Sequence, residues 1–183
     1  GSVYNSPYLQ AIHVTHTTNR NYFTMSPYLE FTLTKGLKLK STFSYSYFNT
    51  NRFYYSPSYM PVAAARKYGG TARRQETINN NLLSETTISY NRTFNKTHKV
   101  NVVAGFTAQN KRSDVRNTEG TGYLDDNVSY YNMGSIVDKR RLTETTSATE
   151  IQRFSVLARA NYSYKSRYHV TFTGRYDGSS NLS

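Results

Sequence analysis

The sequence predicts an all-β chain of antiparallel up-and-down hairpins. Three observations carry that prediction. Apolar and polar residues alternate with a period of two over long stretches. The residues that fill those stretches are strand formers, with 18 Tyr and 9 Phe among abundant Thr, Ser and Asn. Short turns and long connections follow one another in alternation.

The elements follow in order. Gly1-Ser2 reads as a cloning remnant and is set aside. Residues 8–17 read as a short strand, on the weak alternation of Leu9, Ala11 and His13. The first clear hairpin joins strands near 22–34 and 37–48 at Lys35-Gly36, where glycine can supply a positive φ. In its second strand Leu37, Leu39, Phe43, Tyr45 and Tyr47 share one face, interrupted by Ser41. Lys38, Lys40, Thr42, Ser44 and Ser46 share the other. A long loop near 49–78 follows, in which Pro61–Tyr68 reads as a brief helix with proline at its first position and Gly69 as its stop. The second hairpin pairs strands near 79–94 and 98–109 through Asn95-Lys96-Thr97, with Val100, Val102, Ala104, Phe106 and Ala108 on one face. After a second long loop near 110–150, strands near 151–164 and 167–178 meet at Lys165-Ser166. There Phe154, Val156, Ala158, Ala160, Tyr162 and Tyr164 oppose Ser155, Arg159, Asn161 and Ser163, with Leu157 the exception. Tyr168, Val170, Phe172 and Tyr176 oppose His169, Thr171, Thr173 and Arg175. In a meander, every short turn then falls at one edge of the sheet and every long loop at the other.

Alternation also suits a soluble sheet, so other features decide the setting. The runs are roughly twelve to fourteen residues long, about 40 Å at ~3.3 Å per residue, which suits a tilted membrane crossing with overhang. Aromatic residues recur near strand ends, as in the girdles of outer-membrane barrels. One short-turn edge and one long-loop edge is the asymmetry of such barrels. The expectation is part of a transmembrane β-barrel wall. The alternatives are a soluble β-sandwich carbohydrate-binding module and a basic nucleic-acid-binding β-domain. The formal charge of +12 permits the last, but the excess is spread along the chain rather than gathered into one arm, so no nucleic-acid partner is expected. Mean hydropathy is −0.71 and no apolar run approaches the length of a transmembrane helix. No leader opens the chain, and with no Cys there is no disulfide framework, thiolate metal site or Cys nucleophile.

Three stretches resemble an internal part of the SusC/RagA family of TonB-dependent outer-membrane transporters. They run from Tyr28-Leu29-Glu30-Phe31 through Lys35-Gly36-Leu37-Lys38 to Ser44-Tyr45; from Leu82-Leu83-Ser84-Glu85 through Tyr90-Asn91-Arg92-Thr93-Phe94 to Ala104-Gly105-Phe106; and from Arg159-Ala160-Asn161-Tyr162-Ser163-Tyr164-Lys165 through Tyr168 to Arg175-Tyr176-Asp177-Gly178-Ser179-Ser180. The resemblance covers roughly 22–180, and order, spacing and hairpin phase carry it. It implies that residues 3–183 are a partial TonB-dependent receptor barrel domain. It also implies a parent that imports oligosaccharide or peptide across the cell outer membrane, with a SusD-like surface lipoprotein and TonB as partners. A plug, a TonB-contacting segment and a terminal barrel strand are not found here. Six or seven strands cannot close so wide a barrel. An isolated fragment would form a smaller sheet or associate with another copy through its open strand edges.

For chemistry, no catalytic motif is present and no enzyme is expected, nor any cofactor or metal. His13 and His16, three apart in a strand, would face opposite ways. Asp125-Asp126-Asn127 offers oxygens without the spacing of a calcium loop, and Tyr68-Gly69-Gly70-Thr71 reads as a turn rather than a phosphate cradle. The candidate ligand-binding residues are the loop tyrosines: Tyr54, Tyr55 and Tyr59 in the first long loop, Tyr123, Tyr130 and Tyr131 in the second. A ring face stacks on a sugar and the phenol bonds its hydroxyls. Their competing role is to pack the loops together. Basic residues bracketing the short turns, among them Lys35, Lys96, Lys99, Lys165 and Arg167, are placed to meet outer-membrane lipid, with plain solubility the simpler account.

Overall fold

A computed structural model describes residues 7–60, 68–123 and 125–181. Its elements are α1 (Pro7–His13), β1 (Thr15–Met25), β2 (Tyr28–Thr34), β3 (Leu37–Ser56), β4 (Gly70–Phe94), β5 (His98–Tyr123), β6 (Leu142–Tyr164) and β7 (Tyr168–Ser179). The strands form one seven-stranded antiparallel sheet that does not close. Pairing runs β1-β3-β4-β5-β6-β7, with β2 also on β3. Every neighbour in the sequence from β2 onward is a neighbour in space, which is the expected meander. A sandwich needs a second sheet, and the described strands make only one.

The fold divides into two compact units, one of residues 1–22, 48–79 and 113–149, the other of 23–47, 80–112 and 150–183. The second holds the three short turns. Gly36 has φ 85°; Asn95 and Lys96 have 47° and 59°; Lys165 and Ser166 have 49° and 56°. Two successive residues with positive φ twist a hairpin the way its strands already twist. Each of two turns is tied to the neighbouring hairpin: Asn91 N of β4 donates to Gly36 O at 2.7 Å and Lys165 N to Thr97 O at 2.8 Å.

In this unit the two faces differ as the alternation predicts. The β6–β7 register sets Phe154 opposite Gly178, Val156 opposite Tyr176, Ala160 opposite Phe172 and Tyr164 opposite Tyr168. These side chains stay open: Phe172 is 73% exposed and Tyr176 65%. Polar atoms on this face find one another. Ser41, the interruption in the β3 stripe, shares a 3.0 Å hydrogen bond with Thr86, and Tyr45 OH donates to Asn80 at 2.9 Å. The opposite face carries polar bonds of its own, Gln109 to Asn81 at 2.8 Å and Thr171 to Asn161 at 2.9 Å.

Three expectations change. Residues 8–17 are not a strand; Pro7–His13 is a helix, continued by an i→i−4 bond from Val14 N to Gln10 O, and β1 starts at Thr15. The alternation there was weak, and Tyr8 and Ile12 lie one helical turn apart. The strand near 22–34 is two strands. Pro27 has no N–H to give a ladder, while its carbonyl accepts from Phe43 N at 3.0 Å. The loops near 49–78 and 110–150 are shorter than expected, because β3 runs to Ser56, β4 starts at Gly70, β5 runs to Tyr123 and β6 starts at Leu142. Outside Phe53-Tyr54-Tyr55 those extensions are mostly polar on both faces, which obscures the period-two signal without weakening the backbone ladder. The brief helix at Pro61–Tyr68 falls, but for Tyr68, outside the described residues.

A Cβ at Gly36 would lie 2.3 Å from Asn91 O, on a backbone of positive φ. Gly174 has nothing within 4 Å of such a carbon. Gly36→Ala should therefore destabilise by more than about 1 kcal/mol, while Gly174→Ala should be neutral or better, as measured by thermal unfolding in detergent.

Candidate functional site

All the buried hydrophobic side chains among the described residues belong to the other unit: Tyr55, Met60, Ala72, Tyr123 and Ile136. Tyr55, Ala72, Tyr123 and Ile136 form a core, with Val128, Tyr130, Met133 and Leu142 packed against it. The second connection, a chain of three short 3₁₀ turns between Asp126 and Arg141, folds onto the strand ends. Ile136 lies where a Cβ at Gly120 would be, at 2.2 Å. Only glycine admits it.

Asp126 joins the two connections. Its Oδ1 accepts from Tyr55 OH at 2.7 Å and Ser58 N at 2.9 Å; its Oδ2 accepts from Ser58 Oγ at 2.7 Å. Burial pushes this carboxyl upward, but the bonds from Tyr55 and Ser58 outweigh it and hold it below the usual carboxylate range. Asp125 caps the first 3₁₀ turn by accepting from Asn127 N at 2.9 Å. Both carboxylates are thus engaged with protein donors. Among the described residues no group of three His, Asp or Glu stands ready for a metal. The glycines of Tyr68-Gly69-Gly70-Thr71 serve close approach: a Cβ at Gly69 would sit 2.8 Å from Tyr123 O, and one at Gly70 would sit 2.5 Å from Tyr55 OH.

The six candidate tyrosines fall into different settings. Tyr55 and Tyr123 meet edge to face in the core, centroids 5.8 Å apart. Tyr59 is exposed and its hydroxyl lies 3.1 Å from His13 Nδ1; Tyr54 packs edge-on against His16. The two histidines sit on different elements, α1 and β1, rather than on one strand. Tyr130 and Tyr131 come together with partners the sequence did not suggest. Phe53 stacks on Tyr130 at 4.9 Å, Tyr130 meets Tyr131 at 4.5 Å, and the Arg74 guanidinium lies 5.5 Å from the Phe53 ring. With Asn19 they line a recess of about 310 Å³. Arg73, next along β4, points to the opposite face. There it clamps Glu119 with two bonds of 3.0 and 2.9 Å, beside a polar recess of about 350 Å³ completed by Gln75, Asn117, Thr143 and Thr145.

The aromatic recess and the dry core share one face of β4, and the polar recess lies on the other. No family model matches the chain. Its sequence is 29% identical over its whole length to TonB-dependent receptor P3 of Formosa agariphila, and 27% identical over 98% of its length to TonB-dependent receptor P26 of that organism. The chain resembles TonB-dependent transporters of the SusC/RagA type. It spans 18% of the length of each of these receptors. Its fold overlays 19% of a solved chain of the RagAB peptide transporter, over 97% of this chain, with a TM-score of 0.81 at 18% identity. The closed-closed state of the RagAB peptide importer gives a TM-score of 0.83. The sheet thus has the fold of a segment of a β-barrel wall, and the proteins it resembles are receptors and a transporter rather than enzymes.

Asp126→Asn should lower hydrogen-exchange protection of residues 125–141 by about 1–2 kcal/mol, since an amide cannot accept all three bonds. In the wild type a lowered carboxyl pKa stabilises the folded form above the ordinary carboxylate range, about pH 4, and that contribution is lost as pH falls through the lower folded value. Protection should therefore hold from pH 7 to about 4 and then drop, and Asp126→Asn should flatten the curve.

Proposed function

We propose that the chain is part of the barrel wall of an outer-membrane, TonB-linked importer of oligosaccharide or peptide. The single observation that carries this reading is the whole-chain match to TonB-dependent receptors. The open apolar face of the turn unit supports a lipid setting, since lipid would cover rings that water should not. On this reading the long connections lie at the outer surface. Phe53, Tyr130 and Tyr131 offer ring faces to a sugar or to a peptide side chain, and Arg74 and Asn19 offer hydrogen bonds beside them. Tyr59, exposed, and Tyr54, half-buried, join them as candidates, while Tyr55 and Tyr123 act by holding the connections in place. A SusD-like lipoprotein would deliver the substrate and TonB would drive its release. The likeness to the RagAB peptide transporter supports the barrel-wall part of this reading, by fold alone.

The check is uptake by cells carrying the full-length parent. Tyr130→Ala with Tyr131→Ala should weaken substrate affinity about 10-fold or more, the scale of one or two lost stacking contacts. Tyr123→Ala should reduce folded protein in the membrane instead. Unchanged affinity for alanine at every one of the six tyrosines would remove the ligand role.

A further inference from the structure

The short-turn end of the unit formed by residues 23–47, 80–112 and 150–183 carries features the importer reading does not use. Its turns lie at one rim of the sheet, and two of them are bonded directly, Lys165 N donating to Thr97 O. Cations crowd that rim: Lys35, Lys96, Lys99, Lys165 and Arg167 are all exposed. Across residues 28–40, 90–99 and 162–170 the sequence has a single acid, Glu30, and Lys38 already holds it at 2.9 Å. Two cations lie over rings: the Arg92 guanidinium is 5.2 Å from the Phe94 centroid and Lys165 Nζ 5.3 Å from that of Tyr164.

The position of this rim along the apolar face is informative. Tyr162, Tyr164 and Tyr168 end the apolar stripe of β6 and β7 on the turn side; Phe154 and Tyr176 end it on the other. From Tyr164 to Phe154 a strand advances ~33 Å, and a barrel tilt of ~40° reduces that to ~25 Å, the height of the apolar band of an outer-membrane barrel. On the membrane-wall reading the turn cations therefore stand where hydrocarbon gives way to headgroups, with the charges of Arg92 and Lys165 beside the rings of Phe94 and Tyr164.

We propose that this rim is a docking surface for anionic phospholipid. The turn lysines and Arg167 hold headgroup phosphates, and Phe94 and Tyr164 rest against the glycerol region beneath. Free phosphate satisfies the cations but not the exposed rings beside them; an amphiphile satisfies both. The proposal rests on the membrane-wall reading and adds a lipid preference to it.

The test uses the full-length transporter in detergent with equal phosphatidylglycerol and phosphatidylcholine, bound lipid being counted by native mass spectrometry. The wild type should retain phosphatidylglycerol over phosphatidylcholine. Combining Lys96→Gln, Lys165→Gln and Arg167→Gln should cut phosphatidylglycerol retention at least ~5-fold, the weight of one basic residue at an anionic surface, and leave phosphatidylcholine unchanged. Equal retention of the two lipids by the wild type, displacement by millimolar orthophosphate, or unchanged retention in the triple variant overturns the proposal. Retention of neither lipid by the wild type overturns the membrane reading and the proposal with it. Should the triple variant fail to assemble, the wild-type ratio and a Lys96→Arg, Lys165→Arg pair, expected to keep the preference, decide.

Discussion

The backbone ladder is the constraint on which the rest of this structure depends. In hydrocarbon every N–H and C=O must find its partner within the protein, and an antiparallel meander supplies such partners between its neighbouring strands. Once the ladder is in place, the side chains are free to sort by face. In the turn unit they do so with little packing between them. Phe172 and Tyr176 stay open, and polar atoms on the same face, Ser41 with Thr86 and Tyr45 with Asn80, satisfy one another. A sheet in water would have to cover those rings with a second layer. One in lipid needs no layer, because the acyl chains supply it.

The connections of the other unit meet the opposite problem. They carry backbone that no ladder organises over Asp126–Arg141. Their order comes from a small dry core and from one carboxylate. Ile136 fits because Gly120 leaves room, and Asp126 gathers Tyr55 and Ser58 from the other connection. Burying a carboxylate costs solvation, and three donors offset that cost. The outcome is a surface on which Tyr130 and Tyr131 are held beside Phe53 and Arg74 rather than left to wander.

Much of the sheet was legible because one face of each hairpin is apolar. Leu37 to Tyr47 and Phe154 to Tyr164 declare their period, and Gly36 and Asn95-Lys96 declare their turns. The strands vanish from the sequence where both faces become polar, as in Lys111-Arg112-Ser113-Asp114, although the ladder runs on through them. There the pattern records a change of surroundings, not a change of backbone. The loop site was half legible. Tyrosine counting found Tyr130 and Tyr131, but Phe53, Arg74 and the Arg73–Glu119 clamp were hidden inside what read as loop. Extending β4 back to Gly70 would have exposed them, since Arg73 and Arg74 then fall on opposite faces. Asp126 had no sequence signal beyond its neighbour Asp125; its role depends on Ser58, far away in the chain.

Tyrosine shows why residue type alone could not assign roles. The same side chain is a buried ring at Tyr123, a carboxylate donor at Tyr55, a stacking face at Tyr130 and an edge-of-stripe ring at Tyr164. What separates these roles is what lies next to the ring: other apolar groups, an acid, a neighbouring ring in the open, or a lysine. Each neighbour is supplied by a different strand or connection, so the roles appear only when the hairpins are laid side by side. An amphipathic ring with one polar atom is suited to every boundary between oil and water, and this chain consists largely of such boundaries.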